Sequence, residues 1–322
     1  DVTLEHNIRM LNDVEILNQK KERIITDVLS VKIIESDRFE KKINKDFSDI
    51  VNNLSSVTLT DRQISIRGGS GWNAMAGSRV LVLIDNIPLL SGDLSQIPWD
   101  LIPIENIEQI EITKGASSAI YGSSSMNGVI NIKTKSTNKG LIDKHPFPGY
   151  TQFNSTYGIY DNPRNINLKW WNGKRQFHNT DILYSDMIGN TSLTLGINHF
   201  HDEGYRFLEE NKRNRLSLNL LRNHQKREEI IYGIRGTIME QNIGRFLFWE
   251  SYQEGYIPAD NNVYQTNSLL FHIDPFISYN TNNGKHLINS RYLKISLDNN
   301  TNQVEAEKSL YSTTYYLDYK YK

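Results

Sequence analysis

The chain has no cysteine, which excludes a disulfide framework, thiolate metal ligation and thiol nucleophiles. Proline is scarce, with eight in 322 residues, so long extended segments can enter sheet ladders without losing donors. No sign of charge dominates: 36 Lys and Arg stand against 37 Asp and Glu, for a formal net charge of −1. The basic residues are interleaved with acids and form no stripe for nucleic acid. Mean hydropathy is negative, and no apolar run approaches the ~18 residues of a membrane helix. That leaves a membrane barrel open, because barrel strands alternate lipid-facing and lumen-facing residues and look unremarkable in an average.

Reactive chemistry is equally thin. The eight histidines are scattered. His199 and His201 share one face of a strand, where a metal or haem ligand is conceivable, but a solvated strand end fits better, since metal sites need three or four ligands and a defined outer shell. Gly68, Gly69 and Gly71 make a glycine-rich patch without the lysine and helix start of a phosphate loop. No catalytic constellation, resident cofactor or metal site emerges, and the chain reads as a non-enzyme.

What is present concentrates in residues 64–135. The run from Val80 to Ile84 is apolar and ends in Asp85-Asn86, the mark of a buried strand entering a turn. Further on, Ile107, Ile110 and Ile112 alternate with Glu108 and Glu111 ahead of Lys114-Gly115, and residues 129–134 alternate again. Gly68, Gly77, Gly115, Gly122 and Gly128 fall at the corners, as ordinary turn chemistry asks. Several blocks stand in a fixed order: Ile66-Arg67-Gly68, the strand into Ile87-Pro88, residues 104–115, Ile120-Tyr121-Gly122 and Gly128-Val129-Ile130-Asn131-Ile132. In these blocks the segment resembles the plug domain of TonB-dependent outer-membrane receptors, of the type found in Bacteroidota.

Residues beyond 149 alternate apolar and polar side chains. Ile166, Leu168 and Trp170 are spaced by two, as are Leu193, Leu195 and Ile197, then Leu216, Leu218 and Leu220, then Leu293, Ile295 and Leu297. Tyr311, Thr313, Tyr315, Leu317, Tyr319 and Tyr321 share a last face. The pattern implies roughly eight or nine antiparallel strands, long enough to cross a bilayer at ~9–11 residues each. A soluble β-sandwich alternates too; following a plug-like domain, the barrel is the better reading. Aromatic residues near the strand ends, among them Tyr150, Tyr157, Trp170, Trp171, Phe200, Tyr205, Trp249 and Tyr252, suit either membrane interfaces or loop packing.

The expected fold is therefore an α+β plug followed by antiparallel transmembrane β-barrel strands. Three parts are expected: the end of a small preceding domain with a TonB-box-like segment (1–20), the plug (21–140) and the first portion of the barrel (141–322). Within the plug, residues 24–34 read as a strand and residues 37–54 as one polar helix. A plug of that length has a radius of gyration of roughly 14 Å, whereas an eight-stranded barrel holds little beyond its own side chains and plugged transporters need about 22 strands. The expectation is thus an incomplete barrel, either truncated here or completed by another chain.

The resemblance assigns roles. Asp13, Val14, Glu15, Ile16 and Leu17 stand where the family carries its TonB box, an extended segment suited to capture by strand addition; an ordinary linker strand is the alternative. Apical loops supply ligand contacts, here Trp72, Asn73, Met75, Asp93 and Trp99, or else these side chains pack on the barrel wall. Arg67 and Lys114 resemble plug cations that lock onto barrel carboxylates, with Lys114 standing where the family usually has arginine. The implied function is TonB-dependent import of a siderophore, haem, cobalamin or similar nutrient across the bacterial outer membrane. The implied partners are a TonB-type energy-coupling protein, the transported ligand, outer-membrane lipid and a surface lipoprotein. Two other readings stand beside it: a structural or assembly component that keeps the fold without transport, and a soluble β-rich binding module.

Overall fold

The computed structural model describes residues 30–40, 44–60, 63–68, 79–92, 97–115, 121–136, 149–224, 227, 229–246, 248–259, 263–301 and 304–321. Asp13, Val14, Glu15, Ile16 and Leu17 lie outside them, as do Trp72, Asn73, Met75 and Asp93.

The first domain opens with β1 (Ser30–Glu35), α1 (Asp37–Glu40) and α2 (Phe47–Asn52), followed by the hairpin β2 (Val57–Thr60) and β3 (Gln63–Ile66). Where the sequence suggests one helix over residues 37–54, the structure has two short ones. The break has a local cause: Asp46 adopts extended backbone and its side chain accepts from the N–H groups of Ser48 and Asp49, so it caps a new helix instead of continuing an old one. Phe47, Ile50 and Val51 form the buried face of α2.

The remaining strands are β4 (Val80–Ile84), β5 (Ile87–Pro88), β6 (Ile107–Lys114) and β7 (Gly128–Thr134). With β1 they build a five-stranded sheet in the order β1-β6-β7-β4-β5, in which only β4 and β7 run parallel. All five residues of β4 are buried, as expected of an apolar run covered on both faces. The β4–β5 corner places Asp85 and Asn86 at φ 50° and 69°, the left-handed pair that a tight hairpin prefers and that these residue types tolerate. In β6, the step of three from Ile107 to Ile110 breaks strict alternation. A register shift between Ile107 and Gln109 absorbs the extra residue, so that Ile107, Ile110 and Ile112 all reach the core.

Gly128 begins β7 at φ 147°, and a Cβ there would lie 2.5 Å from the Thr113 carbonyl oxygen and 2.8 Å from Ile66. Gly128→Val is therefore expected to destabilise this domain by about 1–3 kcal/mol through overpacking and backbone strain. Denaturant unfolding followed by amide exchange in β6 and β7 measures it; exchange as slow as in the parent protein would contradict the expectation.

Beyond this domain a wall of eight antiparallel strands runs from β8 (Tyr150–Ile159) through β9 (Gln176–Ile188), β10 (Thr191–Asp202), β11 (Asn211–Asn223), β12 (Ile230–Arg245), β13 (Tyr264–Thr281) and β14 (Gly284–Thr301) to β15 (Val304–Tyr321). Each strand pairs with its sequence neighbour, and the sheet is not closed on itself. Residues 189–190 and 282–283 make tight turns at one end, while longer loops at 160–175, 203–210 and 246–263 crowd the other. The alternation at Ile166, Leu168 and Trp170, read above as a strand, belongs to the first long loop; Ile166–Leu168 is a single 3-10 turn led by Asn165, whose side chain accepts from the Asn167 N–H. A run of three apolar residues at spacing two is too short to hold a strand without a partner on each side.

The wall is pleated so that Ile182, Ile197, Leu216, Ile238, Ile273 and Leu317 are exposed on the face turned away from the first domain. This continuous apolar band is what a hydrocarbon environment requires of a barrel. The inner face is different. It carries arginines, asparagines and serines, with isolated apolar residues at Leu183, Phe200 and Phe276 and an apolar seam at Met239, Leu270, Leu293 and Ile295 that joins the core of the first domain.

Candidate functional site: the plug–wall interface

The inner face of β11 positions two arginines two residues apart, hence on one side of the pleat. Both are about 1% exposed. Arg213 donates to Asp100 Oδ1 at 3.2 Å, to the Lys45 carbonyl at 2.7 Å and to Asn198 Oδ1 at 3.1 Å, and its guanidinium lies over the Phe200 ring. Arg215 donates to the Asp100 carbonyl at 2.7 Å and to Glu105 Oε2 at 2.6 Å. Asp100 and Glu105 sit on two 3-10 turns, Trp99–Leu101 and Ile104–Asn106, each following a proline that fixes the backbone ahead of it. Gly196 of β10 makes room for this contact: a Cβ there would stand 3.1 Å from Glu105 Oε1.

Three further contacts continue the pattern. Arg235 Nε of β12 stands 3.4 Å from Asp85 Oδ2, with its guanidinium over Phe276. Asp85 also accepts from the Thr134 hydroxyl at 2.7 Å and the Thr134 N–H at 3.1 Å, so the β4–β5 corner is tied to β7 and to the wall together. Arg291 of β14 binds the carboxylate of Asp274 through both arms and donates to the carbonyls of Ile87, at 3.3 Å, and Pro88, at 2.7 Å. At the long-loop end, Lys45 Nζ donates to Asp202 Oδ2 and to the Tyr160 hydroxyl, both at 2.7 Å. Burial acts to lower the Lys45 pKa, but the hydrogen bonds and charge of Asp202 and Tyr160 outweigh it and hold the ammonium above its ordinary value. Tyr160 packs in turn on Phe177 and Tyr205, and Tyr205 on Tyr256, so this lysine rests against an aromatic cluster built from all three long loops.

In three of these contacts a carboxylate of the inner domain faces an arginine of the wall, and in the Lys45–Asp202 contact the charges are reversed. Such pairs recover little net stability over an apolar packing, because both ions lose water, yet breaking one by removing a partner is costly. Chemically the interface fixes the position of the inner domain against the wall.

The site residues expected from sequence fare unevenly. Trp99, expected as an apical ligand contact or else as packing on the barrel wall, is fully buried and stacks on Phe47, with ring centres 5.9 Å apart and planes 13° from parallel. Its loop turns inward because Pro98 and the 3-10 turn direct the indole into the core. Arg67 is exposed, at φ 56°, with its N–H on the Ser56 carbonyl, and Lys114 Nζ lies 3.5 Å from Ser56 Oγ. The two cations converge on the same turn, but among the described residues neither pairs with a wall carboxylate. Asp85, Asp100, Glu105, Arg213, Arg215, Arg235 and Arg291 escaped the sequence reading. One signal for them existed: Arg213 and Arg215 occupy the face of β11 opposite Leu216, Leu218 and Leu220, so charges on a membrane strand had to face inward.

A family model described as the TonB-dependent receptor plug domain matches residues 25–129. Residues 25–129 are thus a plug domain of the TonB-dependent receptor type. Among curated relatives, the chain is 32% identical over 135 residues to a probable TonB-dependent siderophore receptor, PirA, of Acinetobacter baumannii; the match covers 35% of this chain and 17% of that protein. The vitamin B12 transporter BtuB of Vibrio cholerae is 28% identical over 124 residues, covering 37% of this chain and 20% of the transporter. The crystal structure of the siderophore receptor PirA from A. baumannii superposes with a TM-score of 0.63 at 18% identity, over 92% of this chain and 45% of that one. The matches to these relatives span less than half of their length. The plug domain is that of TonB-dependent receptors, which are outer-membrane receptors and transporters and not enzymes, and the antiparallel wall has the fold of the matched receptor structure.

Proposed function

We propose that the protein imports a scarce nutrient across the outer membrane, driven by a TonB-type partner that draws on residues 13–17. The observation that carries this reading is the make-up of the plug–wall contact. Arg213–Asp100, Arg215–Glu105 and Arg235–Asp85 hold the plug by charge, a form of attachment that water can replace when the plug is pulled. The siderophore receptor and the vitamin B12 transporter among the relatives favour an iron chelate or a cobalamin-like ligand. Contact with that ligand falls to the plug loops bearing Trp72, Asn73, Met75 and Asp93, together with the three aromatic-rich wall loops. Arg67 and Lys114 serve as plug cations toward acidic positions elsewhere on the wall, and a surface lipoprotein is the further partner this reading accommodates.

Deleting residues 13–17 tests it. Cells carrying the deletion are expected to bind the labelled ligand at their surface as before but to lose accumulation to the level of cells lacking the energy-coupling protein. Accumulation that survives the deletion sinks the transport reading and favours a structural role.

A further inference from the structure

The outer face of the wall carries a group that the plug–wall contact does not use. His199 and His201 alternate along β10, and His178 of β9 is the direct cross-strand partner of His201. Their side chains share the outward face, at the long-loop end above Ile182 and Ile197. The ring centre of His178 lies 5.2 Å from that of His199 and 5.3 Å from that of His201. Two imidazoles bound to one tetrahedral ion at ordinary metal–nitrogen distances have centres roughly 5 Å apart, so both pairs stand at coordinating separation.

The outer shell is in place as well. His199 Nδ1 is 2.7 Å from Asn214 Oδ1, and His201 Nε2 is 2.7 Å from Glu210 Oε1. An imidazole that donates one N–H to a fixed oxygen presents its other nitrogen unprotonated, which is how metal-ligating histidines are usually held. Glu210 is itself anchored by Lys212 at 2.7 Å. Among the described residues no three such groups converge on one point as they stand, so capture requires a turn of the half-buried His178 ring between the other two.

We infer that His178, His199 and His201 form a binding site for a borderline divalent ion of the zinc class on the outer surface of the wall, with water completing the shell. Three neutral nitrogens and no thiolate select Zn²⁺, Cu²⁺ or Ni²⁺ over Mg²⁺ or Ca²⁺. The ion bridges β9 and β10 where the 160–175 and 203–210 loops leave the wall, and so restrains the base of both. The site faces away from the plug and is independent of the transport reading.

Zinc titration of the detergent-solubilised protein, with Co²⁺ as a spectroscopic probe, tests the assignment. The parent protein is expected to take up one Zn²⁺ and to give the intense visible absorption of tetrahedral Co²⁺. His178→Gln, a surface change that leaves the strand pairing intact, is expected to weaken zinc at least tenfold, and Glu210→Gln to weaken it less, within the roughly 10–100-fold range of outer-shell substitutions. A parent protein that binds no zinc at about 100 µM, or a His178→Gln protein that binds as tightly as the parent, overturns the site.

Discussion

Arg215→Ala is expected to loosen the docked plug by about 3–5 kcal/mol, the usual result of removing one partner from a buried ion pair. The reason lies in what remains. Glu105 is 6% exposed, and without Arg215 its carboxylate keeps its burial but loses the 2.6 Å contact that offsets it. Asp100 loses a second donor, to its carbonyl, in the same change. The companion double variant, Arg215→Met with Glu105→Leu, is expected to recover most of the loss, since apolar replacements of a buried pair are often neutral or stabilising. Amide exchange in the plug strands of the detergent-solubilised protein reads both effects, through the free energy of local opening. If the single variant exchanges as slowly as the parent, the pair is not holding the plug. If the double variant is worse than the single, the charges contribute more than desolvation leaves over, and the view of the interface as an exchangeable lock fails.

Trp99→Ala should be comparably damaging, at about 3–5 kcal/mol, and should act on stability and not on ligand affinity. The indole is fully buried, stacks on Phe47 and lies in the cluster that joins α2 to the sheet and to the apolar seam of the wall. Removing it leaves a large void between a 3-10 turn and a two-turn helix, neither of which is long enough to re-form around a smaller side chain. Urea unfolding gives the magnitude. Surface binding of ligand, measured on the folded fraction, separates the two roles: unchanged affinity with a lowered unfolding midpoint is the expected pair of results. A variant with parental stability and weakened binding would restore Trp99 to the ligand site.

These cases show what kind of information a sequence carries here. The plug's corners and strands were readable because local chemistry decides them: Asp85-Asn86 accepts left-handed backbone, and the run at β4 has no face that tolerates water. Alternation likewise revealed the pleat of the wall. It did not reveal which face was which. Leu216 and Leu293 sit in similar alternating runs, yet Leu216 is 43% exposed on the outside and Leu293 is 1% exposed against the plug. Only the charged residues between them carry that sense, as Arg213 and Arg215 do for β11. The ion pairs themselves join residues more than a hundred positions apart, and a single sequence has no pattern that links such partners. The third histidine is a smaller instance: His178 meets His201 only through the register of β9 on β10.

The strand order of the plug also determines how the domain would yield to force. β1 is both the first described strand in the chain and the edge of the sheet, with β6 as its single hydrogen-bonding neighbour. Tension applied ahead of Ser30 therefore meets an edge strand first. Its loss leaves β6, β7, β4 and β5 paired among themselves, with the parallel β4–β7 junction still inside. The wall contacts of Asp85, Asp100 and Glu105 all lie downstream of that edge. The chain order thus puts an edge strand, and not an interior one, first in line for a pull, ahead of the contacts that hold the domain to the wall.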